Sequence, residues 1–149
     1  MANTLTVTTD YTAGVPGRCD GFTPVIDKHF DASKVGIAAA AQIVAFKVPE
    51  GSIVRHVIVN VKTAGVGTLH VGKHVGGLSD SAITTDPDFY TASTPVDLTA
   101  VGKTMCAAPT AALVLADHYV VVLPSAANTS AVFDVIAVVD VFDVDAYTN

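Results

Sequence analysis

Residues 131–144, "AVFDVIAVVDVFDV", decide how the rest of the chain is read. Phe133, Val135, Ala137, Val139 and Val141 recur at period two, so an extended strand sets all five on one face. The opposite face carries Asp134 and Asp140, as a wet surface should, but also Ile136, Val138 and Phe142. A single strand of this length spans about 43 Å, well beyond the usual strand. Either a bulge swaps the faces midway, or both faces are covered, one by the core and one by a neighbouring subunit. The second reading is preferred. It makes Ile136, Val138 and Phe142 the candidate subunit interface.

Upstream, the same period recurs between turn signals. In residues 42–48, "QIVAFKV", Val44, Phe46 and Val48 are expected on one face. "PEGS" then supplies a turn, with Gly51 free to take positive φ. In residues 53–62, Val57, Val59 and Val61 oppose His56, Asn60 and Lys62, and in 66–72 Leu69 and Val71 oppose Thr68 and His70. Further strands are expected near 24–30, at 111–115, at 119–123 and through 131–144. One or two short strands and long loops are expected across 73–110. Alanine favours a helix over 32–42, but Gly36 and its β-branched neighbours reduce it to a loop or short turn. About eight antiparallel strands without amphipathic helices predict an all-β, antiparallel β-sandwich, jelly-roll-like, with an immunoglobulin-like sandwich as the alternative. The absence of tryptophan removes the antibody-type signature.

The chain has 149 residues, which suits one domain, taken as 22–149. Residues 1–21 read as an N-terminal arm or as an edge strand, with Thr4, Leu5, Thr6, Val7 and Thr8 as its extended part. Hydrophobic residues make up 50% of the chain and charged ones 15%, so part of the surface is expected to be hidden in an assembly. A net charge of −6, with Arg18 and Arg55 the only arginines, argues against a nucleic-acid partner. No apolar run reaches the ~20 residues that span a bilayer, so no membrane is expected. The start lacks the basic and apolar regions of a signal peptide, and synthesis in the cytoplasm is expected. Cys19 and Cys106 fit no metal spacing; two buried free thiols are favoured over one disulfide.

Several stretches carry residues with chemical potential. A hairpin turning about Ala64 and Gly65 pairs Asn60 with His70 and His56 with His74, a candidate couple of metal ligands that lacks a third. Surface or inter-subunit histidines are the preferred reading. "GTLHVGKHVGG", 67–77, resembles a cupin histidine pair, but the lone glutamate, Glu50, lies upstream of both, and a cupin site is rejected. Asp80, Asp86 and Asp88 fit no calcium loop. The sequence offers no nucleophile elbow and no phosphate cradle. Asn128-Thr129-Ser130 is a glycosylation sequon, irrelevant to a chain that stays in the cytoplasm. No catalytic residue, metal or cofactor is assigned, and the chain is read as a non-enzyme.

The pattern "VAFKVPEGSIVRHVIVNVKTAGVGTLHVG" (44–72), then "DPDFYTAS" (86–93), then "ALVLADHYVVVLP" (112–124) and a valine-rich last strand resembles the small β-sandwich head decoration, or cement, proteins of tailed bacteriophages. That resemblance implies a virion protein on the capsid surface. It implies binding to the major capsid protein, bridging of its subunits and homo-oligomers, with a trimer favoured. It also makes Thr4–Thr8 a candidate capsid-contact arm. The alternative is a receptor- or glycan-binding module of a head or tail fibre, for which Phe89 and Tyr90 beside Asp86 and Asp88 are the suggestive cluster.

Overall fold

The alternating segments become eight strands: β1 (Val25–Asp31), β2 (Ile43–Val48), β3 (Ser52–Thr63), β4 (Thr68–His74), β5 (Val96–Asp97), β6 (Gly102–Met105), β7 (His118–Pro124) and β8 (Val132–Val141). The computed structural model describes residues 25–48, 50–76, 86–106 and 117–141. The strand expected at 111–115, residues 1–21 with Cys19, and the side chains of Asp80 and Phe142 lie outside the described residues. Among the described residues there is no helix, and 32–42 is a series of turns.

Two antiparallel sheets form, ordered β1-β8-β3-β6 and β2-β7-β4-β5. The pairs β1·β8, β2·β7, β3·β6 and β4·β5 nest one inside the next. The chain is thus a long hairpin rolled up until β8 meets β3 and β7 meets β4. That nesting is a jelly roll. An immunoglobulin-like sandwich pairs its first two strands in one sheet, whereas β1 and β2 here belong to different sheets.

The core lies between the sheets. The first sheet contributes Phe30, Val57, Val59, Val61, Phe133 and Val135; the second contributes Phe46, Val48, Leu69, Val71, Val120 and Val122. Phe30 stacks on Phe133 at 5.0 Å, joining the edge strand β1 to the central strand β8. Along β8 the alternation never breaks: Phe133, Val135, Ala137 and Val139 are all buried. The register shifts between β3 and β8 arise where β3 carries an extra residue, at Arg55 and at Lys62. No bulge therefore swaps the faces of β8.

Two expectations are corrected. The first is the β3–β4 hairpin: the two strands lie in different sheets, so His56, exposed on β3, never meets His74, buried on β4. Residues 64–67 form a corner over the end of the sandwich rather than a hairpin turn. The Gly65 N–H donates to the Leu98 carbonyl at 2.7 Å, and a Cβ on Gly65 would collide with the Asn128 side chain and with Ala131. Asn128 locks the corner: its Oδ1 accepts from the Val66 N–H at 2.6 Å, and its Nδ2 donates to the carbonyls of Val66 and Ala126. The sequon asparagine is buried and fully engaged.

The second correction concerns β2. Val44 pairs with Val121 and Phe46 with Val120, so Ala45 is an extra residue. That bulge turns Val44 away from Phe46 and Val48 onto the outer face of the second sheet, outside the core cluster. The turn between β2 and β3 forms as expected, with Gly51 at φ 81°.

Candidate functional site

The two outer faces of the sandwich are unlike. On the second sheet, register places His70, Gly72 and His74 beside Leu123, Val121 and Tyr119. Val121 is nevertheless only 1% exposed. Residues 86–91 run along the edge of β4: Lys73 and Asp86 exchange backbone hydrogen bonds, and the Tyr90 N–H donates to the Val71 carbonyl at 2.9 Å. A Cβ on Gly72 would lie 2.5 Å from the carbonyl oxygens of Asp86 and Pro87. Glycine at 72 lets the Asp86–Pro87 backbone cross this face beside Val121, while His70, Tyr119 and Leu123 stay half-buried.

The first sheet has an apolar outer face that runs across all four strands. The row Asp27–Ile136–Ile58–Met105 lies next to the row Val25–Val138–His56. Val25 and Met105, at its two ends, are 61% and 62% exposed. Ile136, Val138 and Ile58 between them are half-buried. The sequence-derived interface residues Ile136 and Val138 therefore sit at the middle of a ridge. Ile58, Val25 and Met105 were missed because only strand order brings them beside β8.

Charges flank the ridge. Asp134 accepts from His29 Nδ1 and from Lys62 Nζ, each at 2.6 Å, while Arg55 bonds to Asp140 on the far side. Burial pushes the Asp134 carboxyl up, but the hydrogen bonds from Lys62 and His29 outweigh it and hold its pKa below the ordinary carboxylate value. The pairs His29–Asp134, Lys62–Asp134 and Arg55–Asp140 each join two strands of the first sheet. They fix the flanks and leave the ridge between them apolar.

The other sequence candidates are placed as follows. Phe89 and Tyr90 form no exposed platform: Tyr90 is 1% exposed, and its hydroxyl lies 2.7 Å from Nε2 of the buried His118. Burial pushes the Tyr90 hydroxyl well above its ordinary pKa. Phe89 packs edge-on against Tyr90 and lies beneath the Lys73 ammonium. The Asp86 main chain bridges to that of Lys73. Cys106 is a buried free thiol whose pKa burial raises to about 11. Among the described residues no group of three or more histidine, cysteine, aspartate or glutamate side chains is placed to hold a metal.

Fold and surface together define a jelly roll of eight strands among the described residues, crossed by its own backbone at Gly72 on one outer face and carrying an apolar ridge on the other. The chain is similar in fold to a chain of "Capsid of Ralstonia phage GP4", with a TM-score of 0.67 and 17% identity over 87% of this chain and 90% of that one. A chain of "Acidic stable capsid structure of Helicobacter pylori bacteriophage KHP30" gives a TM-score of 0.49 and 18% identity over 78% and 85%. No family model and no curated protein matches the sequence. At such identities the likeness is one of fold.

Proposed function

We propose that this chain is a non-enzymatic decoration protein of a phage capsid, one that binds the head surface and bridges major capsid subunits. The observation that carries the reading is the inequality of the two outer faces. A jelly roll that buries Val121 beside its own 86–87 backbone on one sheet and leaves Val25, Ile58, Met105, Ile136 and Val138 in two adjacent rows on the other is shaped for docking. The fold of the chain from the Ralstonia phage GP4 capsid supports the same reading.

The ridge serves the contact between copies of this chain, and its five side chains make a small patch against the ~800 Å² per partner of a standard interface. One such contact is weak. Repetition in a homo-oligomer, a trimer by preference, raises the effective concentration of each further contact and makes the clamp durable. Ile136 and Val138 are assigned to the subunit contact, with Phe142 continuing the same face of the sequence.

Mass spectrometry of virions purified from the source of the gene tests this reading. A copy number in the hundreds per particle is expected. Absence from the particle overturns the proposal, and a handful of copies would point to a fibre instead.

A further inference from the structure

The side of the sandwich where β1 and β2 end their sheets is open. Between these two edge strands lies a cleft of about 280 Å³ lined by Phe30, Ile37 and Ile43, with Lys28 and Lys34 also on its walls. The hydrogen-bonding direction of β1 follows from one contact. The Ala32 N–H donates to the Ala131 carbonyl at 2.9 Å, in line with the β1·β8 register. Opposed residues of an antiparallel pair alternate between bonded and non-bonded, so Ile26, Lys28 and Phe30 bond to β8. Val25, Asp27 and His29 then aim their N–H and C=O groups away from the sheet. Among the described residues no strand meets them. An apolar slot beside a row of outward backbone groups is a template for one more strand.

Twenty-four residues precede β1 and enter it at Val25, so a chain reversing there runs back along β1 towards the Lys28–Asp31 wall of this slot. Their first nine contain no charged side chain, and "TLTVT", 4–8, alternates threonine with Leu5 and Val7. Threonine and valine favour strands. The 15 residues from 10 to 24, with glycine at 14, 17 and 21 and proline at 16 and 24, reach about 50 Å when extended. That exceeds the length of β1 and allows the chain to reverse.

We propose that residues 4–8 of the same chain add to the outer edge of β1 as an antiparallel ninth strand, with Leu5 and Val7 seated in the cleft between β1 and β2. The threonines then face outward beside Val25, Asp27 and His29. Pairing closes the exposed edge, and the two apolar side chains fill the gap between the sheets. The inference stands apart from the capsid reading, since it concerns only this chain's own edge.

Amide hydrogen exchange on the isolated full-length chain tests it. The N–H groups of Asp27 and His29 are expected to exchange at least about tenfold more slowly in the wild type than in a Leu5→Asp/Val7→Asp variant. The amides of Val59 and Val135 in the sheet centre should stay protected in both, showing that the sandwich is intact. If the double aspartate variant unfolds, Leu5→Ser/Val7→Ser carries the same comparison. Equal and fast exchange of Asp27 and His29 in wild type and variant overturns the proposal. Protection that appears only as protein concentration rises moves the strand to a second copy and overturns it too.

Discussion

Ile136 on β8 and Ile58 on β3 lie directly opposite each other on the side of the first sheet that the core does not use. Each shields part of the other, which is why both are half-buried without belonging to the core cluster. The pair joins the exposed ends of the ridge, Val25 and Met105, into one continuous surface. Replacing Ile136 and Val138 together by serine is expected to cost about 1–2 kcal/mol of folding stability, since only half-covered area is lost. The same variant should sediment as a monomer where the wild type sediments as an oligomer. Val135→Ala, one residue away but on the core face, should do the reverse: it costs about 2 kcal/mol in denaturant unfolding and leaves assembly intact. If both sets of variants simply unfold, the ridge is part of the core.

Gly72→Val tests the backbone crossing on the second sheet. A side chain there meets the Asp86 and Pro87 backbone, which cannot give way as a flexible side chain does. Destabilisation of about 1–3 kcal/mol is expected. The amide of Tyr90, bonded to Val71, should lose exchange protection before the β7 amides do. Unchanged protection at Tyr90 would mean that residues 86–91 are held by other contacts.

Asn128→Ala should be costly for a surface-corner residue. It strips partners from the Val66 N–H and from two carbonyls while leaving a buried gap. About 2–4 kcal/mol is expected in thermal or urea unfolding. Asn128→Asp keeps the Oδ1 acceptor but loses the two donated bonds, and should fall between wild type and alanine.

The acid limb of stability should depend on Asp134. Its folded pKa is depressed, so its contribution is fully present above the unfolded value, about 3.9, and is lost as pH falls through the folded value. Unfolding free energy measured from pH 6 down to pH 2 should therefore decline below about pH 4. In Asp134→Asn that decline should be shallower, because the titrating group is gone. Asp31, half-buried, and Asp97, exposed, also have lowered pKa values, through hydrogen bonds from Ser33 and Thr99 respectively, and contribute less to the slope.

The candidate surface was half legible in the sequence. Ile136 and Val138 stood out because a period-two strand leaves them on the face opposite Phe133 and Val135. Ile58 sits in an equally regular strand, yet nothing in "VIVNV" marks it as a neighbour of β8 rather than of β4. The histidine couple failed for the same reason. Short connections favour hairpins, and the four residues 64–67 look like one, but Asn128 and Ala131 from 60 residues away turn them into a corner. Val44 was misplaced by one extra residue, Ala45, which period-two counting cannot detect. The Phe89-Tyr90 pair, attractive as an exposed platform, is drawn inward by a partner on β7 that local reading does not see.

By itself the sequence determined β1–β4, β7 and β8 as strands, and that β8 presents apolar groups to both sides, because side-chain alternation is a property of each extended segment alone. It also placed the turn at Gly51, since a positive φ is local chemistry. Only the tertiary structure decided the nesting of β1 with β8 and β2 with β7, and hence which outer face the chain's own backbone crosses and which is left apolar. Hydrogen-bonded ladders accept any strand of suitable length. The choice among partners is made by the joint burial of both inner faces, which no single stretch encodes.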